Sequence, residues 1–81
     1  KLFEEIKGNE YEIIESKIKN HNKIKDCYII SEISKLDGKR VEIEYALREI
    51  IASDCESIVI FGDCDIIYIE KEGFNNRFIS K

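Results

Sequence analysis

The side chains of this chain best suited to chemistry gather just after its most apolar stretch. Asp63 and Asp65 lie in the segment Gly62-Asp63-Cys64-Asp65, with Glu70 and Glu72 downstream. Carboxylates near a strand end are the oxygen ligands that Mg²⁺ or Ca²⁺ takes, which makes Asp63, Asp65 and Glu70 the candidate metal ligands. Their spacing matches no EF-hand loop, and aspartate forms turns in its own right. A solvated acidic turn is therefore the stronger reading, and neither a metal nor another cofactor is expected.

The other reactive types are scattered. His21 is the single histidine and stands at a predicted helix end, where it would favour the negative end of the dipole. It has no evident Ser or Cys partner, so a catalytic triad lacks support. Gly8, Gly38, Gly62 and Gly73 are too far apart to build a phosphate loop. Lys17, Lys19, Lys23 and Lys25 form a small basic run that would touch phosphate. Its flanking asparagines and lack of interleaved aromatics favour a solvated face. Cys27, Cys55 and Cys64 are odd in number and share no C-x-x-C spacing, so they read as reduced packing thiols, not a disulfide framework or a zinc site. No complete catalytic set emerges, and the balance is against an enzyme.

One pattern has more shape. Asp65-Ile66-Ile67, a hairpin containing Gly73, and Lys81 follow a helix bearing Glu42 and Glu44. The order resembles the metal-dependent nuclease core of the restriction-endonuclease type, in which an Asp opens one strand and a carboxylate-x-Lys closes the next. The resemblance implies two carboxylates on a divalent cation and a Lys near the attacking water. The position two before Lys81 is Ile79, not Asp or Glu. What the resemblance implies here is a degenerate, inactive version of that fold.

Any such site must be positioned by a few short elements. Residues 1–8 fit either a helix or an edge strand. Asn9 with Glu12 is a weak capping box, and Tyr11, Ile14 and Ile18 then share a stripe on a helix from Glu10 to about His21. Ile24 to Ile33 reads as a strand with Cys27, Ile29 and Ile33 on one face and Tyr28 and Ile30 on the other. Asp37-Gly38 makes a turn before a helix from Lys39 to about Ser53, on which Ile43, Ala46, Leu47, Ile50 and Ile51 recur at helical spacing. Ile58–Phe61 and Ile66–Ile69 are strands joined by a tight turn, and Arg77–Ser80 is a last short strand. Ile58 and Ile60 on one face, with Val59 and Phe61 on the other, predict a central strand covered on both sides. Ile60 should then be among the most buried residues.

Together these predict an α/β (α+β) domain of two layers. Its order is α-β-α-β-β-β, with two main helices on a mixed sheet of three to four strands. Strand, helix, strand in succession implies a parallel crossover.

Helix 39–53 carries a second stripe. Val41, Tyr45 and Ala52, with Arg48 among them, oppose the stripe of Ile43, Leu47 and Ile50. Tyr and Arg are enriched at interface hot spots, so these four are the candidate partner-binding residues; the alternative is that the N-terminal helix or residues 1–8 cover the stripe, or that scattered surface apolars need no explanation.

With 81 residues there is room for one domain, 1–81, with a thin margin of stability. The chain starts at Lys1 without Met, which fits a piece excised from a larger protein or complex. Seventeen acidic against thirteen basic residues, net −4, argue against non-specific binding to nucleic acid or anionic membrane. Heavy Ile, Lys and Glu usage without Gln or Met fits a thermophile, and an AT-rich genome would give a similar Ile, Lys and Asn bias. No signal peptide and no apolar run of membrane-spanning length appears, so the expected location is the cytoplasm. The expected function is a non-catalytic protein-interaction or regulatory module acting through an apolar helix face, its partner another protein or itself. The alternative is a nucleic-acid-processing or nucleic-acid-binding domain.

Overall fold

The structure, a computed structural model, describes residues 2–21, 23–51, 53, 55–72 and 76–80. The chain is α+β. It runs β1 (Phe3–Ile6), α1 (Glu10–Lys19), β2 (Asp26–Ser31), β3 (Lys39–Glu42), α2 (Ile43–Glu49), β4 (Ser57–Phe61), β5 (Ile66–Glu70) and β6 (Arg77–Ser80). The six strands form one sheet in the order β1-β6-β5-β4-β2-β3, and every pairing is antiparallel.

Two expectations about the sheet are corrected. It has six strands, not three or four, and it is not mixed. The extra strands are β1, which resolves the ambiguity of residues 1–8 as an edge strand on β6, and β3, which takes the start of the expected helix 39–53. Lys39–Glu42 pairs along β2, setting Val41 opposite Cys27 and Arg40 opposite Tyr28. The cross-strand pairs Val41–Cys27 and Arg40–Tyr28 outweigh the helical periodicity there. The helix proper is left with Ile43–Glu49. The crossover exists but begins one strand later: β3 and β4 run parallel to each other with β2 between them, and α2 connects them.

Helix α1 keeps its predicted start. Asn9 is its N-cap, and its carbonyl accepts from the Ile13 amide at 3.1 Å, but its side chain makes no capping bond. Both helices lie on one face of the sheet. Ile14 of α1 and Ala46 of α2 are fully buried with Cys27, Ile29, Val59, Phe61, Tyr68 and Ile79 from that face.

Sheet register sorts the remaining side chains. Partners directly opposite in an antiparallel pair point to the same side. The helix-covered face ends in a polar row of Ser31, Ser57, Glu70 and Arg77. There the Ser31 and Ser57 hydroxyls meet at 2.8 Å.

Candidate interaction surface

The other face of the sheet is where the structure departs most from expectation. Two rows of side chains cross it. The first runs Arg40, Tyr28, Ile60, Ile67, Ser80, Phe3, and the second Ile30, Ile58, Ile69, Phe78, Glu5. Seven of these from β2, β4, β5 and β6, plus Phe3 at the edge, are large and apolar. Among the described residues no element packs over them. Ile30 is 44% exposed, and the other seven are half-buried, whereas Val59 and Phe61 on the covered face are at 0%. The expectation that Ile60 is deeply buried is therefore corrected. β4 is central in the sheet, but only one of its faces is covered. Strand neighbours shield Ile58 and Ile60 from the sides and leave their tips open.

Cations cap two of the three aromatic rings on this face. The Arg40 guanidinium lies 5.9 Å from the Tyr28 ring centre, and the Lys71 ammonium 5.7 Å from that of Phe78. Arg40 also holds an exposed 2.7 Å ion pair with Asp26. The middle of the face carries no charge.

The residues singled out by sequence fall elsewhere. Val41 sits on β3, not on a helix, and is half-buried against the core. Tyr45 and Arg48 are on α2, with the guanidinium 5.5 Å from the ring centre. Tyr45 also packs against the core, while Arg48 is exposed and pairs with Glu49 at 3.3 Å. Ala52 lies outside the described residues. The three described ones do not form one helical stripe, because α2 begins at Ile43 and leaves Val41 on a strand.

Asp63 and Asp65 share the β4–β5 turn, where Asp65 Oδ2 accepts the Asp63 backbone amide at 3.1 Å. Gly62 enters that turn at φ +65°, and a Cβ there would strike the Asp65 carboxylate. Glu70 is at the far end of β5 and buried, so the structure does not bring it to the turn. Among the described residues no group of three His, Cys, Asp or Glu side chains is placed to hold a metal ion. The turn does border an open cleft of about 400 Å³ with His21, Lys23 and Ile24. Lys17, from the basic run, faces Glu4 at 3.9 Å. Lys23 shares its cleft with two carboxylates, so the run is interleaved with acid and offers no continuous phosphate-binding strip.

For the nuclease resemblance, Gly73 and Lys81 lie outside the described residues. Glu42 closes β3 and Glu44 is on α2. Ile79 is fully buried in the core, so its position faces the helices and not solvent.

Sequence reasoning missed the open face, although the signal was present. β4 and β5 are apolar at every position from Ile58 to Phe61 and from Ile66 to Ile69, more than a two-layer fold can cover. Among the described residues no helix is long and apolar enough to cross a membrane. No protein-family model, no curated protein and no solved structure matches this chain.

Proposed function

We propose that this domain is a non-catalytic protein-interaction or regulatory module that docks through the open face of its sheet. One observation carries the reading: Tyr28, Ile30, Ile58, Ile60, Ile67, Ile69 and Phe78 form a contiguous apolar surface outside the domain's own core. Contiguous apolar patches on this scale mark interaction sites, because water penalises leaving them bare. Isoleucine and the two rings supply contact area, and the border cations supply a polar rim. Tyr45 and Arg48 on the helical side offer a second, smaller contact. Three free cysteines fit a reducing compartment such as the cytoplasm.

The test is dye binding in dilute solution. Anilinonaphthalene sulfonate should fluoresce with the wild-type chain at nanomolar protein. The variant Ile58→Thr/Ile60→Thr/Ile69→Thr, which keeps β-branched side chains, should lose that signal and retain its circular dichroism. A wild type that binds no dye, or a variant that binds as much, overturns the reading.

A further inference from the structure

We infer that the occupant of the open sheet face is a second copy of this chain, packed face to face about a two-fold axis. This rests on the docking role proposed above and names its partner.

Five inter-strand spacings make the face about 24 Å wide, and five-residue strands make it about 17 Å tall. That is a flat footprint of about 400 Å² per copy and about 800 Å² for the pair, the size of a weak, concentration-dependent contact. A patch of this shape matches another sheet, which lays a flat apolar surface against it across ~10 Å.

The charges at the borders fit a two-fold. Arg40 ends one row at the β3 edge, and Glu5 ends the next row at the β1 edge. They stand diagonally opposite, about 24 Å apart across the strands and about 7 Å along them. An in-plane two-fold axis tilted about 16° from the strands carries each onto the other's position, so Arg40 of one copy meets Glu5 of its mate, twice. The same operation brings Lys71 of one copy towards Glu32 of the other. Both are exposed and lie at the same end of the face, where the Glu32 amide continues the β2–β4 ladder to the Glu56 carbonyl at 3.0 Å. At these two contacts opposite signs meet, with Arg40 keeping its bond to Asp26, while the centre pairs isoleucine with isoleucine. A closed isologous contact requires this self-complementarity.

Sedimentation velocity over a concentration series tests the inference. The wild type should move from 9.5 kDa to twice that mass in the micromolar range, with dye binding suppressed as it does so. Ile60→Lys should stay monomeric with unchanged circular dichroism, and Ile60→Thr serves if the lysine variant unfolds. Glu5→Arg and Arg40→Glu should each weaken the dimer about fivefold to tenfold. The double variant Glu5→Arg/Arg40→Glu should restore it to within about twofold, which no contact within one chain could do across that distance. A wild type that binds dye yet stays monomeric at hundreds of micromolar overturns self-pairing and leaves the docking role standing. A dimer that survives the Ile60 variants, or a double variant no tighter than the singles, overturns this geometry.

Discussion

The Tyr68 hydroxyl donates a 2.7 Å hydrogen bond to Oε1 of Glu70, two residues further along the same strand. Both side chains point to the helix-covered face and are at most 1% exposed. Arg77 brings its guanidinium within 3.5 Å of Glu70 and 3.8 Å of Glu10 at the start of α1. A buried carboxylate is tolerated only when it is paired and hydrogen-bonded, and these partners meet that need. The network ties β5, β6 and α1 together at one end of the core.

Tyr68→Phe should therefore destabilise the fold by about 1–3 kcal/mol, since it removes the shortest of the hydrogen bonds that a buried carboxylate accepts. Urea unfolding at neutral pH measures this, and equal midpoints would show that the bond contributes nothing. Burial, and then the hydrogen bond and charge of Glu70, push the Tyr68 hydroxyl well above the ordinary tyrosine range. An acid with a raised folded-state pKa stabilises fully below its unfolded value, about 10 for tyrosine. Stability should fall as pH climbs past that point, and Tyr68→Phe should flatten the fall.

Cys27 makes a second alkaline prediction. Its thiol is fully buried, and burial, assisted by the Asp26 carboxylate and opposed by Arg40, pushes it up from 9.0 to about 11. Below pH 9.0 the thiol is neutral in both folded and unfolded chains, and its contribution is complete. Between 9.0 and about 11 the unfolded chain ionises first, and roughly 3 kcal/mol of stability should be lost. Cys27→Ala should remove that part of the slope. Alkylation at neutral pH should label exposed Cys64 first, half-buried Cys55 later and Cys27 only on unfolding. Early labelling of Cys27 would show that this part of the core opens locally.

Cys64 occupies the left-handed region at φ 67°, a conformation that costs a residue with a side chain about 1–2 kcal/mol. Cys64→Gly should relieve that strain, against a loss of chain entropy in the unfolded state. The net expectation is a gain of a few tenths to about 1 kcal/mol in stability, read by thermal melting. A clear loss would mean that the thiol makes a contact worth more than the strain.

What was legible in the sequence was local. The strands 58–61 and 66–69, their tight turn and the last strand at 77–80 follow from runs of β-branched and aromatic residues bounded by turn formers. Helix α1 follows from the spacing of Tyr11, Ile14 and Ile18. The strand at Lys39–Glu42 was not legible, because its reason is Tyr28 and Cys27 on a neighbouring strand. Likewise β1 carries too few apolar residues to choose between helix and edge strand until β6 pairs with it. The acidic turn showed its two aspartates, but the distance from Glu70 depends on strand length, and Glu70's partners come from β6 and α1. For the open face, the alternation was visible but its cover was not. An apolar residue on a strand says that it prefers to leave water, not whether its own chain or another supplies the shelter.

That distinction separates two isoleucines one strand apart. Ile29 on β2 is at 0% exposure among the helix-facing core, whereas Ile60 on β4 points to the open face and is half-buried. Truncating a core isoleucine loses its burial and leaves a cavity, so Ile29→Ala should cost about 2–5 kcal/mol. Ile60→Thr keeps the branched shape that strands favour and places its hydroxyl where water reaches it. In dilute solution its cost should stay within about 1 kcal/mol. Denaturant unfolding of both variants over a protein-concentration series that starts below the micromolar range compares them directly. If Ile60→Thr proves as damaging as Ile29→Ala at every protein concentration, the open face is part of the chain's own core. If its penalty grows only as protein concentration rises, the lost free energy belongs to the contact between copies, because only an association equilibrium makes stability depend on concentration.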